Sequence, residues 1–76
     1  MKSIEEIKDY LQDKINEHRY SPHFHTVYND QLFLSNCALL DAITYIEDVY
    51  QHSKLTDDSN RAYDALIQIR KTYTTP

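Results

Sequence analysis

The stretch "CALLDAITYIEDVY", residues 37–50, is the most apolar part of this 76-residue chain, and it decides the class of fold. Large apolar residues recur in it at intervals of four, three and four, at Leu39, Ile43, Ile46 and Tyr50. This spacing is typical of one face of an α-helix. Other residues flank or broaden the stripe: Cys37, Leu40, Ala42, Tyr45 and Val49. Because so much of its surface is apolar, we expect this helix to lie centrally, between other elements.

The segment before it, "SIEEIKDYLQDKINEHR" (residues 3–19), predicts an amphipathic helix. Ser3 and Glu6 form a capping-box pattern, in which the serine oxygen accepts from the amide three residues on and the glutamate reaches back. The apolar residues form one stripe: Ile4, Ile7, Leu11 and Ile15. Ser21-Pro22 is expected to end the helix, because proline disfavours helical geometry in the residue before it.

The segment after it, "TDDSNRAYDALIQIRKTY" (residues 56–73), predicts a third helix, with Thr56 as a candidate cap. Its apolar stripe is Ala62, Leu66, Ile69 and Tyr73, which Leu55 and Ser59 extend backward. The short link between residues 53 and 56 predicts that the last two helices are antiparallel neighbours.

The start of the middle helix has two interpretations. Asn29 or Asp30 could cap a helix of about 24 residues, which would bring Leu32 into register with Leu39 and Ile43. Alternatively, "HFHTVY" and "QLFLS" form a short β-hairpin at about 23–35, with Asn29-Asp30 as its turn. The sequence therefore predicts a single, mostly α domain over residues 1–76, with three helices and this hairpin as the alternative.

Composition limits the possible functions. The chain has no glycine, which argues against the glycine-rich loops that bind phosphates. Its net charge is −4 and its eight basic residues are scattered, so we expect no direct binding of nucleic acid. No apolar run reaches the roughly 20 residues that span a bilayer. The charged N-terminus is unlike a signal peptide, and Cys37 is the single cysteine, so we expect a cytoplasmic location without membrane contact.

Three of the four histidines lie in or beside the connection "HRYSPHFHTVYND", residues 18–30. His18, His23 and His25 could in principle supply a zinc site, since zinc accepts three histidines plus water. However, their spacing matches no zinc signature, and a histidine in the last turn of a helix is explained by the helix dipole. We therefore interpret the stretch as a connection, and a histidine-based metal site is the weaker alternative.

The sequence predicts no catalytic residues and no cofactor, so we expect that the protein is not an enzyme. Cys37 falls on an apolar helical face, where a small thiol ordinarily packs rather than reacts. Carboxylate pairs such as Asp57-Asp58 are adjacent in the sequence and therefore point in different directions on a helix.

The sharper feature is an acidic stripe on the first helix, formed by Glu6, Asp9, Asp13 and Glu17. Two of its i,i+4 pairs carry like charges, each of which costs a few tenths of a kcal/mol. Such a stripe would suit a basic partner, although a merely solvated face is the alternative. Tyrosine is enriched in interfaces, and four of the seven tyrosines are not easily assigned to the core: Tyr10, Tyr20, Tyr28 and Tyr63. We predict that these eight residues bind the partner.

In size, acidity and lack of glycine, the chain resembles small accessory proteins of phages and mobile elements, including anti-CRISPR and anti-restriction proteins. The resemblance is one of composition and carries no residue over. It implies a regulator or inhibitor that occupies the basic surface of a larger nucleic-acid-handling enzyme. The alternative function is structural, as a homodimer or assembly subunit whose helices complete a shared core.

Overall fold

The computed structural model describes residues 1–20 and 26–74, which form three helices: α1 (Ile4–Tyr20), α2 (Val27–His52) and α3 (Thr56–Thr74). Both outer helices pack mainly against α2 and less against each other. The prediction of a mostly α, three-helix domain with a central apolar helix is confirmed.

The start of α1 has the capping box expected from the sequence. The amide of Glu6 donates to Ser3 Oγ at 3.1 Å, and the amide of Ser3 donates to Glu6 Oε1 at 3.4 Å. Two amides at the helix start, which have no partner within the helix, are satisfied in this way. The helix then ends at Tyr20, directly before the Ser21-Pro22 pair.

The start of α2 decides between the helix and the hairpin. Thr26 is the cap, in extended geometry, and its hydroxyl accepts from the amide of Asn29 at 3.1 Å. Within 26–35 the hairpin prediction is therefore wrong, and residues 23–25 lie outside the described residues. Neither Asn29 nor Asp30 caps α2, since both lie in its first turn. Thr26 has the hydroxyl that an N-cap needs, whereas Asn-Asp is a weak hairpin turn.

The start of α3 differs from the expectation in one respect. Thr56 is the first helical residue rather than the cap, and the carbonyl of Leu55 accepts from the amide of Ser59 at 3.0 Å. Ser53 Oγ holds the connection by accepting from the amide of Leu55 at 3.1 Å. Leu55 is 64% exposed, so the prediction that it extends the apolar stripe of α3 is wrong.

The core is small. Within residues 1–20 and 26–74, six apolar residues are buried: Ile7, Leu11, Ile15, Ile43, Ala62 and Leu66. Around Ile7, Leu11 and Ile43 pack Ile4, Leu39, Leu40, Ile69 and Tyr73, so residues of all three helices meet there. We call this cluster the three-helix region. Tyr45, expected at the edge of the core, is 70% exposed instead, because it lies two residues, about 200° of helix, from Ile43.

Polar contacts tie the helices together around this region. Lys8 Nζ lies 2.6 Å from Glu47 Oε1 on α2 and 3.1 Å from Glu5 Oε1. These two carboxylates, Glu47 first, raise the pKa of Lys8 above its ordinary value. At the ends of α1 and α3, the amide of Lys2 donates to Thr74 Oγ1 and Arg70 Nε donates to the carbonyl of Lys2, each at 2.9 Å. The first and last described turns of the chain are thus held side by side.

Candidate interaction surface

The acidic stripe lies on the exposed face of α1, as its spacing predicted. All four members are exposed, while Ile7, Leu11 and Ile15 on the opposite side are buried. The outer two carboxylates of the stripe have contacts within α1: Glu6 closes the capping box and Glu17 lies 3.4 Å from Lys14 Nζ. The stripe is Glu6, Asp9, Asp13 and Glu17.

The middle of the stripe is electrostatically uncompensated. Among residues 1–20 and 26–74, neither Asp9 nor Asp13 has a hydrogen bond or an ion pair. Their mutual repulsion at i,i+4 works against the helix by a few tenths of a kcal/mol. Two unpaired carboxylates on one exposed face are available to a basic partner without breaking any contact of the fold.

Tyr10 lies beside the stripe but is engaged within the molecule. Its ring meets that of Tyr73 edge to face, with centroids 6.3 Å apart. The ammonium groups of Lys2 and Lys14 are each 5.7 Å from the centroid of Tyr10. These contacts hold Tyr10 in place, and 46% of the residue is still exposed next to the carboxylates. Burial raises the pKa of Tyr73, and the nearby Tyr10 adds to that rise.

An apolar groove runs along the other side of Glu17. It lies between α1 and the first half of α2, has a cavity volume of about 200 Å³, and is lined by Lys14, Glu17, His18, Asn29, Leu32, Phe33 and Asn36. No residue of α3 is among them. We call it the open groove, and we call the surrounding residues, 14–20 of α1 and 26–36 of α2, the two-helix end. Leu32 is 45% exposed there.

The structure brings together some of the predicted tyrosines and separates others. Tyr20 and Tyr28 both lie at the two-helix end and are 79% and 68% exposed. Tyr63 lies on α3, half-exposed, with its ring 5.8 Å from that of Tyr50. Tyr63 is therefore separated from the other predicted tyrosines, because it packs on Tyr50 between α2 and α3.

His18 serves as a contact between two helices. Its Nε2 lies 2.9 Å from Asp30 Oδ1, and its ring stacks on Phe33 with centroids 4.7 Å apart. Arg19 lies on the same phenylalanine ring, 5.7 Å from its centroid. The other two histidines of the metal hypothesis, His23 and His25, lie outside the described residues. In the part of the chain that the structure describes, no three His, Cys, Asp or Glu side chains form a group that could hold a metal ion.

Cys37 is half-buried on α2, facing α1. It lines a small surface pocket together with Gln12, Ile15, Arg19, Leu40 and Asp41. Among the described residues that line this pocket there is no histidine.

The open groove was not predicted from the sequence, because it exists only where α3 does not extend over α1 and α2. A second apolar stripe on α2 was also not predicted, although the spacing of its residues in the sequence indicates it. Val27, Leu34, Tyr45 and Val49 share a helical face that does not include Ile43.

Known proteins give no further guide to this site. No family model, no curated protein and no solved structure matches the chain. Among the described residues, no helix is both long enough and apolar enough to cross a lipid bilayer.

Proposed function

We propose that this protein is a small acidic binding module that regulates or inhibits a larger protein by occupying a basic surface. The observation that carries this proposal is the pair Asp9 and Asp13, exposed and without a partner among the described residues. An acidic surface steers a basic partner into encounter and fixes its orientation.

The open groove supplies an apolar contact surface, which the acidic stripe lacks. Glu17 belongs both to the acidic stripe and to the lining of the groove, so carboxylates border an apolar floor that includes Leu32 and Phe33. Interfaces typically combine an apolar centre, which contributes most of the affinity, with a polar rim. We expect an apolar side chain of the partner to enter the groove while its basic residues meet the stripe.

Exposed aromatic residues border the same surface. Tyr20 and Tyr28 lie at the two-helix end with most of their surface exposed, and Tyr10 is held beside the middle of the stripe. Tyrosine contributes large contact area at low cost in conformational entropy. Tyr63 contributes only if the partner also reaches α3.

The partner class follows from charge and from the compositional resemblance. A protein that handles nucleic acid has a basic surface of the kind that this stripe would occupy. A phage or mobile-element origin and an anti-CRISPR-like role are parts of this proposal. The alternative, a structural homodimer without a separate ligand, would use another surface.

The test reverses the unpaired charges. In Asp9→Lys/Asp13→Lys, each new lysine has an opposite charge four residues away, at Glu5 and Glu17, so helix stability should change little. The matched control is Asp57→Lys/Asp64→Lys, which makes the same change in net charge at two exposed residues of α3. Far-UV circular dichroism should show equal helicity for all three proteins.

The three proteins are immobilised and exposed to host lysate in parallel. We expect a basic protein that the wild type and the α3 control retain and that the stripe variant loses. With that protein purified, affinity should fall at least about tenfold for the stripe variant, about 1.4 kcal/mol. Wild-type affinity should also weaken as salt is added, because salt screens exposed charges. The proposal is wrong if every captured protein binds the stripe variant and the wild type equally well.

A further inference from the structure

The central helix carries a second apolar stripe that the other two helices leave largely exposed. It comprises Val27, Leu34, Ala38, Ala42, Tyr45 and Val49, at intervals of seven, four, four, three and four residues. We call it the outer stripe. Val27, Leu34 and Tyr45 are 77%, 64% and 70% exposed, and only Val49 is half-buried.

The outer stripe faces away from the core. At 100° per residue, Tyr45 lies about 200° from Ile43, the residue that α1 and α3 enclose. At Tyr45 and Val49 the stripe borders α3, in a groove that is also lined by Arg61. Gln31 interrupts the stripe between Val27 and Leu34, so its continuous part, from Leu34 to Val49, is about 22 Å long at 1.5 Å per residue.

The stripe holds as many apolar residues as the core itself buries, and none of its six members is charged. A contiguous exposed apolar patch bordered by charges is characteristic of an interaction site. Since a chain of this size has a marginal core, covering the stripe would also add to its stability.

We propose that the outer stripe is a homodimer interface in which the α2 helices of two copies pack side by side in the same direction. This surface does not include the acidic stripe of α1, so the inference goes beyond the proposed function and does not rest on it. A second copy presents the same uncharged stripe, and its flanking charges match when the helices are parallel.

The charges decide the direction of packing. One margin of the outer stripe carries Asp41 and Asp48 on α2, and the other carries Arg61 of α3, beside Tyr45 and Val49. A two-fold axis parallel to α2 brings opposite margins together, so that Arg61 faces Asp48 of the partner subunit at the same height. Arg61 has no ion pair among the described residues and is exposed. Antiparallel packing would instead bring the acidic margins of the two copies against each other.

The size of the stripe indicates the strength of the dimer. A strip about 22 Å long and about 10 Å wide, the diameter of a helix, covers roughly 220 Å² per copy. This is less than the roughly 800 Å² per partner of stable complexes, even if the neighbouring groove adds to it. We therefore expect a reversible dimer that dissociates on dilution.

The first experiment is sedimentation velocity on the full chain, from about 1 µM to about 1 mM. We expect a shift from monomer to dimer within this range, and a monomer throughout would overturn the proposal. Leu34→Glu should weaken the dimer at least about tenfold. The matched control is Leu55→Glu, because Leu55 is also 64% exposed but lies outside the stripe. The dimer dissociation constant of Leu55→Glu should equal that of the wild type.

Equal dimerisation of Leu34→Glu and wild type would also overturn the proposal. Circular dichroism tests whether Leu34→Glu is folded. If Leu34→Glu does not fold, Tyr45→Glu is used in its place. Binding of the stripe by lipid vesicles or by an unrelated helical peptide, with no self-association, would assign the surface to another occupant. The Asp9→Lys/Asp13→Lys variant should dimerise as the wild type does, so failure of one proposal leaves the other intact.

The second experiment tests the direction. Arg61→Glu and Asp48→Arg should each weaken the dimer, because each places like charges opposite one another in parallel packing. The double variant Arg61→Glu/Asp48→Arg restores the pair in reversed order and should recover the affinity. Additive weakening in the double variant would overturn the parallel arrangement.

Discussion

The two ends of the pair formed by α1 and α2 have similar helical patterns but different surroundings. In the three-helix region, Ile43 is completely buried against Ile7 and Leu11, with Tyr73 of α3 packed against the same cluster. At the two-helix end, Leu32 continues the stripe of Ile43, yet it is 45% exposed in the open groove. The helical periodicity of the sequence places a residue on one face of its helix, but the presence of a third helix decides whether that face is buried.

The comparison predicts its largest effect for truncation of these two residues. Ile43→Ala should lower the free energy of unfolding by about 3 kcal/mol, since it removes buried methyl groups and leaves a cavity. Leu32→Ala should cost less than about 1 kcal/mol, because Leu32 already contacts water. Denaturant unfolding followed by circular dichroism gives both values. If Ile43→Ala does not fold, Ile43→Val should still cost about 1 kcal/mol. Equal losses at the two positions would contradict the distinction between the two regions.

The helix caps provide a second comparison. Ser3→Ala removes the capping box and should cost about 1 kcal/mol of global stability, because the start of α1 is tied to the end of α3. Thr26→Ala removes an equivalent bond at the start of α2. Because this start lies at the two-helix end, the loss should appear mainly as faster amide hydrogen exchange in the first turn of α2. A larger change in denaturant midpoint for Thr26→Ala than for Ser3→Ala would refute this ranking.

Alkaline pH should weaken the three-helix region. Lys8, whose ordinary pKa is 10.5, and Tyr73, whose ordinary pKa is 10.0, both have a raised pKa in the folded protein. Each therefore contributes stability that is complete below its ordinary pKa and is lost as the pH rises through the raised value. The denaturant midpoint should therefore fall as the pH rises above these ordinary values. Tyr73→Phe should remove the tyrosine share of this fall, and an unchanged slope in that variant would exclude Tyr73 as a source.

Zinc should have the smallest effect. At the two-helix end, His18 already contacts Asp30 and Phe33, which explains its position without a metal. We expect protein purified without a histidine tag to contain no stoichiometric zinc, and added zinc to leave the melting temperature unchanged. Tight zinc that disappears in His18→Ala/His23→Ala/His25→Ala would show that the connection is a metal site.

Much of the candidate surface could be predicted from the sequence because it lies on a single helix. The exposure of the acidic stripe followed from the positions of Ile7, Leu11 and Ile15, since opposite faces of one helix are related by local geometry alone. The open groove could not be predicted, since it depends on where α3 ends relative to α1 and α2. The division of Tyr10 from Tyr63 has the same cause, because each ring packs on a different neighbour.

By itself, the sequence determined the three helices, the capping box at Ser3 and the buried stripe of α1, because caps and periodicity act over one or two turns. The start of α2 at Thr26 also rests on a local bond, from the amide of Asn29 to the Thr26 hydroxyl, although the sequence had suggested Asn29, Asp30 or a hairpin there. Only the tertiary structure decided that Leu32 stays 45% exposed at the two-helix end. It also decided that Tyr45 faces solvent, since three helices cannot cover every apolar face of the central one. Helix formation depends on residues that are close in the sequence. Burial depends on how all three helices pack, which is why the sequence alone did not predict the exposed face of α2.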